Sequence, residues 1–465
     1  MTIDKNQLQK QLDEMAQGLD VPGVAVGVYH QGTEQHAFFG VTSVENPLPV
    51  DENTLFQFGS TGKTYTATAM MRLVEQGLAD LDAPVRTYIP EFRVKDEDVS
   101  KDVTLLHLFN HTAGWEGDLF TDTGNGDDAL ARYVELMADL TQASPLGTTV
   151  SYNNASLSLA GRIIELLTGT TFEKAIKELV LDPLGLTSTL FFPNEIMTRR
   201  FATGHNQAPD GRITVTRPWA MARSGNPMGG MSATSADQIA WARFHLGDGR
   251  AADGTRLLSE ELMKRMKEPT AEMPGSALGD YVGISWLLRD VDGVRIVGHG
   301  GDTLGQHSQF LTVPDRDFAI SVMTNCGPNG SQLNEELVKW ALEAYAGVVD
   351  RDPEALELPA EELAPYTGRF ETIAAWVDLT VEAGHLLVKA EIKPETKRQL
   401  MEEGIEEPEQ PPIPIGLLPD EQGDPSERYI VIDGPAKGMK GYFTRDGAGT
   451  VSAVHVGGRL ATRTS

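Results

Sequence analysis

The strand-like segments of this 465-residue chain fall into two groups separated by a long helical stretch, and that ordering limits its fold more than any single motif. Near the start, an amphipathic helix over about 5–18 leads into "GVAVGVYHQG" and "QHAFFGVTS", which read as a strand pair. Much later, "GISWLLRDVDGVRIVGHGG" and "QFLTVPDRDFAISVMTN" carry the hairpin turns "VDG" and "PDRD" and read as antiparallel strands. Between them the periodicity predicts helices over 60–79, 103–115, 153–169, 235–249 (with Ser235 as its N-cap) and 259–268, and a further helix covers 332–346. Strands with one apolar face must bury it against something. The two groups are therefore expected to meet in one antiparallel sheet flanked by helices, an α+β domain over residues 1–348 with a mostly helical subdomain.

The pattern changes near residue 350. "DRDPEALELPAEELAPYTG" is too acidic and too rich in proline to bury a core, so 349–364 reads as a linker. Beyond it, "GRFE", "WVDLTVEAGHLLVKAEI", "RYIVIDG", "KGYFTRD" and "VSAVHVGG" are short alternating strands, expected to form a small β-barrel (lipocalin-like) or a sandwich over 365–465. The acidic, proline-rich run 402–427 interrupts them and is expected to be an exposed loop.

Charge and cysteine usage exclude several classes of partner. A net charge of −28 repels phosphate, so neither nucleic acid nor an anionic membrane is an expected partner. Residues 352–427 alone hold 19 Asp/Glu against 5 Lys/Arg, half of that net charge, and read as a solvated acidic face. The first residues lack a continuous apolar h-region and no run of about 18 apolar residues occurs, so a cytoplasmic protein is expected. The one cysteine, Cys326, follows the apolar run "FAISVMTN" and is expected to be a buried, inert thiol.

The letters GSTGKT at 59–64 admit two chemistries. A phosphate-binding loop needs G-x-x-x-x-G-K-[ST], so that four intervening residues wrap their amides around the phosphates. Gln57 stands where the first glycine belongs, and "TLFQF" is not the buried β-branched strand such a loop follows. The alternative is S-x-x-K. Ser60 and Lys63, three apart on a helix, share a face, and a lysine whose pKa has fallen through burial can deprotonate the serine. The motif is common by chance and needs partners. Two appear downstream: Tyr152-Asn153-Asn154, a phenol able to relay a proton with an amide able to hold a carbonyl, and His299-Gly300-Gly301, where glycines admit substrate to a strand edge. His107 and His111 have the i, i+4 spacing of a zinc pair, but no third ligand is evident, so local hydrogen bonding is the better reading. Trp115, Phe120 and Trp219 are aromatic residues that either line a pocket or fill the core.

With S-x-x-K, Y-x-N and H-G-G in this order, and with "LLHLFNHTAGW" and "GGMSATSADQIAWARF" beside them, residues 10–345 resemble the serine β-lactamase and penicillin-binding-protein superfamily. The Y-x-N form is similar to class C β-lactamases, DD-peptidases, D-aminopeptidases and family VIII carboxylesterases. The resemblance implies that Ser60 is the nucleophile, Lys63 its base and Tyr152 the proton shuttle, with no metal or cofactor. It also implies that Asn154, His299, Gly300, Gly301 and Asp302 bind substrate, the backbone N–H groups of Ser60 and Asp302 forming the oxyanion hole. His299 replaces the usual lysine of the third motif. Asp302 replaces a small or hydroxyl residue, which counts against anionic β-lactams as substrates. The expected activity is hydrolysis of a small-molecule ester or amide. A β-lactamase, a D-Ala-D-Ala carboxypeptidase or a D-aminopeptidase is the alternative, and a non-catalytic binding protein on this fold is a remoter one. Homo-oligomerisation stays open.

Overall fold

The computed structural model describes residues 5–208, 210–382, 384–402, 411–434 and 436–464. It begins with helix α1 (Lys5–Gly18), followed by the hairpin of β1 (Gly23–His30) and β2 (Thr33–Gly40). After the helical middle come β3 (Ala271–Ser276), β4 (Gly279–Val282), β5 (Leu287–Val291), β6 (Val294–Asp302), β7 (His307–Val313) and β8 (Phe318–Thr324). They form one eight-stranded sheet in the order β2-β1-β8-β7-β6-β5-β4-β3. The neighbour pairs with a recorded register are antiparallel, so β1 and β8, some three hundred residues apart, lie side by side with Val24 opposite Thr324.

Alternation along β1 shows why the sheet is covered on both faces. Val24, Val26 and Val28 join Leu8, Leu12 and Ala16 of α1 and Leu333 and Leu337 of a C-terminal helix in one core. Ala25 belongs to the opposite core, with Trp241 and Ala242. A Cβ on Gly27 would stand 2.5 Å from Ile239 Cγ1, so the helix holding Ile239 rests directly on the strand. That two-sided burial is why β1 reads as a nearly continuous apolar run.

Helix α2 (Gly62–Glu75) is enclosed, with Gly62 through Met71 and Leu73 all buried, and α3 (Asn154–Thr168) packs beside it. Helix α4 (Ser235–Leu246) is capped one residue earlier than expected: Thr234, not Ser235, accepts the N–H of Asp237 through its side chain. Ser235 Oγ lies 3.0 Å from His36 Nδ1 instead, because the first helical residue points its hydroxyl at β2. Helix α5 (Asn329–Ala341) closes the first domain's order. No described helix is long and apolar enough to cross a membrane.

The C-terminal strands β9 (Gly368–Glu371), β10 (Ala375–Glu382), β11 (His385–Ile392), β12 (Ile413–Pro419), β13 (Pro425–Val431), β14 (Lys440–Arg445), β15 (Val451–Val456) and β16 (Arg459–Arg463) close an up-and-down barrel in sequence order. The run 402–427, expected as one loop, is corrected here. "IPIGLLP" within it is a strand, and it pairs with "PSERYIV", whose first three residues also fall in the run, as the hairpin β12–β13 with Ile415 opposite Val431. Ile415 and Leu417 point into the barrel core, and that burial outweighs the local prolines and acids. Residues 403–410 of that run lie outside the described residues.

The site-bearing elements meet where backbone touches backbone. The 3₁₀ turn Gly59–Thr61 precedes α2, and Gly59 has φ of +53°. A Cβ there would come 2.7 Å from Asp302 N, while one on Gly301 would come 2.1 Å from Phe58 O and 2.7 Å from Ser60 N. Only glycines permit this approach. Gly301→Ala is expected to cost about 1–3 kcal/mol of stability through enforced displacement, measured by chemical or thermal unfolding; an unchanged melting curve would show that the turn yields without cost.

Candidate functional site

Three side-chain bonds clip the turn carrying Ser60 to the β6–β7 hairpin. Thr61 Oγ1 donates to His299 O at 3.1 Å, Ser308 Oγ donates to Phe58 O at 2.7 Å, and Gln57 N donates to Gln306 Oε1 at 3.0 Å. Gln57, the residue that breaks the phosphate-loop pattern, is thus a strut between the serine turn and the sheet. Along β6, His299 pairs with Phe310 and Asp302 with His307, so His299, Gly300, Gly301 and Asp302 run past Ser60 in order.

Lys63 is the second residue of α2 and has no exposed surface. Its Nζ donates to Ser60 Oγ at 2.9 Å and to Met228 O at 2.7 Å, and stands 4.9 Å from the centroid of the Tyr152 ring. Burial holds its pKa well below the ordinary amine value; Arg459 lowers it further and Asp118 opposes. A lysine in that state has a lone pair to offer a neighbouring hydroxyl.

Tyr152 is 5% exposed and precedes α3, whose N-cap is Asn153: its side chain accepts from Ser156 N at 2.9 Å and donates to Trp115 O at 2.9 Å. The Tyr152 hydroxyl is buried, with the Ser60 hydroxyl as its neighbour. Burial raises its pKa, while the neighbouring Ser60 hydroxyl and Arg459 pull it down. Two imidazoles flank it, His111 at 4.6 Å and His299 at 6.0 Å between ring centroids. Burial pushes both rings well below the ordinary imidazole value, His299 to a pKa of about 3. His299 Nδ1 bonds Gly300 O at 2.5 Å, whereas His111 Nδ1 accepts from Asn153 N at 3.2 Å. His111 is therefore tied into the tyrosine's own turn. His107 Nδ1 accepts from Thr104 N at 3.1 Å as part of a capping box. No cluster of three metal-binding side chains occurs among the described residues.

The residues expected to bind substrate lie on two elements, Asn154 at the start of α3 and His299–Asp302 at the end of β6. Asn154 Nδ2 donates to Asp118 Oδ1 at 2.8 Å. Asp302 turns its side chain outward, 76% exposed, with Oδ1 2.5 Å from His307 Nδ1. Among the three aromatic residues, Trp115 is fully buried and Phe120 is half exposed, while Trp219 Nε1 donates to Ala202 O at 2.9 Å. Cys326 is buried, its thiol donates to Gly327 O at 3.7 Å, and burial pushes its pKa up to about 12. Two charged residues at the site escaped the sequence reading. Asp118 and Arg459 are 341 positions apart, and Arg459 follows a glycine pair in a hairpin turn, a setting in which arginine is ordinary. Nothing local marked either one.

An antiparallel sheet covered by helices on both faces, with a helix bearing serine and lysine against one strand edge, is the architecture of the serine β-lactamases and penicillin-binding proteins. The family described as Beta-lactamase matches residues 8–344, and the chain belongs to that family of serine hydrolases. Penicillin-binding protein 4 of Amycolatopsis lactamdurans is 36% identical over 378 residues, 80% of this chain and 98% of that one. SurE, solved with D-Leu, is similar over 99% of both chains with a TM-score of 0.75 and 24% identity. The class C beta-lactamase from Rhodobacter sphaeroides covers 72% of this chain and 99% of its own, with a TM-score of 0.60 and 23% identity. These two likenesses are of fold. The first extends over the barrel.

Holding Lys63 neutral inside the protein has a signature in stability. Where the native amine is unprotonated and the unfolded one is protonated, the unfolded state binds more protons, so stability rises with pH toward about 10.4. Each unit of depression is about 1.4 kcal/mol. Against Lys63→Met, the wild type should therefore gain in relative melting temperature from pH 6 to pH 10. A constant difference across that range would mean the buried amine is charged.

Proposed function

We propose that this chain is a serine acyl hydrolase that cleaves a small-molecule ester or amide through an acyl-enzyme on Ser60. The observation that carries this reading is the 2.9 Å bond between the Ser60 hydroxyl and the desolvated Lys63 amine. Neutral Lys63 takes the Ser60 proton as Oγ attacks the carbonyl carbon. The oxyanion forms beside the amides of Ser60 and Asp302, which the contacts of Gly59 and Gly301 bring to one place. Tyr152, next to both Ser60 and Lys63, carries the proton to the leaving group, and water then releases the acyl group by the reverse path. Asn154 and the edge of β6 hold the substrate on either side.

A β-lactamase or D-Ala-D-Ala peptidase uses the same chemistry, and the name of the Amycolatopsis relative favours it. The exposed Asp302 carboxylate beside the oxyanion position favours the ester and amide reading, because it repels the carboxylate that a β-lactam carries.

Ser60→Ala should lower p-nitrophenyl butyrate hydrolysis by at least about 10³-fold while leaving the melting temperature close to wild type. Retained turnover would remove Ser60 from the mechanism. In a panel of short-chain esters, D-amino-acid amides and nitrocefin, preference for nitrocefin would install the β-lactamase reading instead. A chain that neither hydrolyses any of them nor takes up a fluorophosphonate at Ser60 would be a binding protein.

A further inference from the structure

The barrel enters the catalytic centre through a single turn. Between β15 and β16 the backbone turns at Gly457 and Gly458, and a Cβ on Gly458 would stand 2.4 Å from Leu278 Cδ1 of the hydrolase domain. Gly458 O accepts the backbone N–H of Tyr152 at 2.9 Å, and Leu460 N donates to Ser151 Oγ at 3.2 Å. Arg459 lies between these two bonds and is fixed by them. Its Nε donates to Asp118 Oδ2 at 2.8 Å, its Nη2 to Asp118 Oδ1 at 3.3 Å and its Nη1 to Gly457 O at 3.0 Å. The guanidinium stands 5.1 Å from the centroid of the Tyr152 ring, the same ring that Lys63 Nζ approaches at 4.9 Å.

We propose that Arg459 is a positioning residue of the acyl-transfer centre: the barrel supplies a fixed cation that, balanced by Asp118, keeps the Lys63–Tyr152 pair ready to accept the Ser60 proton. The inference rests on the roles proposed above for Ser60, Lys63 and Tyr152. It makes the barrel a working part of the site, because the backbone bonds that seat Arg459 are made to Ser151 and Tyr152 themselves.

The electrostatics act in one direction on both members of the pair. Arg459 disfavours the proton on Lys63 and on Tyr152, and Asp118 favours it on both. The sign of the effect is therefore the same whichever group holds the base, as is required for two groups that titrate as a unit. Burial sets the larger shift on each member and the Ser60 hydroxyl also acts on Tyr152; Arg459 and Asp118 are the charges that act on both. His111 and His299 are neutral, Ser60 and the Met228 carbonyl carry no charge, and Asp302 adds a smaller pull that favours the proton on Tyr152. An arginine suits the role because it never releases its own proton in this range and because Asp118 holds its planar head in a two-point grip.

The test is the pH profile of p-nitrophenyl butyrate hydrolysis and of fluorophosphonate labelling at Ser60, on the full chain. Activity rises with pH as the pair loses its proton. Arg459→Gln should move that limb to higher pH by about one unit, and Asp118→Asn should move it to lower pH. The double variant should return toward the wild-type profile, and Arg459→Lys should restore most of the shift. An Arg459→Gln enzyme with an unmoved limb and a raised KM alone would make Arg459 a substrate contact and overturn the proposal. Should Arg459→Gln fail to fold, Asp118→Asn decides: a limb that does not move to lower pH overturns it equally. A wild-type chain that is not labelled at all would sink the Ser60 reading itself, whereas a labelled wild type with unmoved variants sinks this inference alone.

Discussion

The buried amine of Lys63 is the constraint around which this structure is arranged. An ammonium group with no exposed surface is costly, and burial, with no buried carboxylate among the described residues in contact to offset it, holds the Lys63 pKa well below the ordinary amine value. The amine's remaining contacts are the Ser60 hydroxyl, the Met228 carbonyl and the Tyr152 ring. Each of these comes from a different part of the chain, so enclosing one side chain forces the serine turn, the segment before α3 and the segment near residue 228 to meet. Helix α2 is small-residued and enclosed for the same reason: a solvated helix would leave its lysine charged.

The sheet supplies the fourth side. Two close approaches, at Gly59 and Gly301, press the serine turn against β6, and the side-chain bonds of Thr61, Ser308 and Gln306 hold it there. This gives the amides beside Ser60 a rigid frame, which is what electrostatic stabilisation of an oxyanion needs, since donors that must reorganise contribute little. The barrel then reaches the centre with one turn. Its Arg459 and the Asp118 of the first domain form a charged pair, Asp118 bonded to Asn154 and the guanidinium beside the Tyr152 ring.

Much of the domain architecture was legible in the sequence because it rests on local pattern. Alternation in "GVAVGVYH", hairpin turns at "VDG" and "PDRD", and glycine stops after helices each follow from periodicity and backbone freedom over a few residues. The failures also have local reasons. Ser235 is of a type that suits a cap, yet Thr234 sits at the position where the backbone leaves the helical region. The segment after residue 411 looked like a loop because its composition is proline-rich and acidic, yet Ile415 and Leu417 had a barrel interior to enter. Propensity lost to tertiary burial there.

The sequence by itself determined which chemical groups were available: a serine and a lysine one turn apart, a tyrosine and an asparagine opening a second helix, and a glycine-flanked histidine on a strand. Their spacing along the chain named them as candidates because helical geometry and backbone freedom are short-range properties. Only the tertiary structure decided that they share one centre, that Lys63 is desolvated there, and that Arg459 reaches it from the barrel to meet Asp118. Burial and charge neighbourhood depend on segments hundreds of residues apart. No local pattern records which of them will touch.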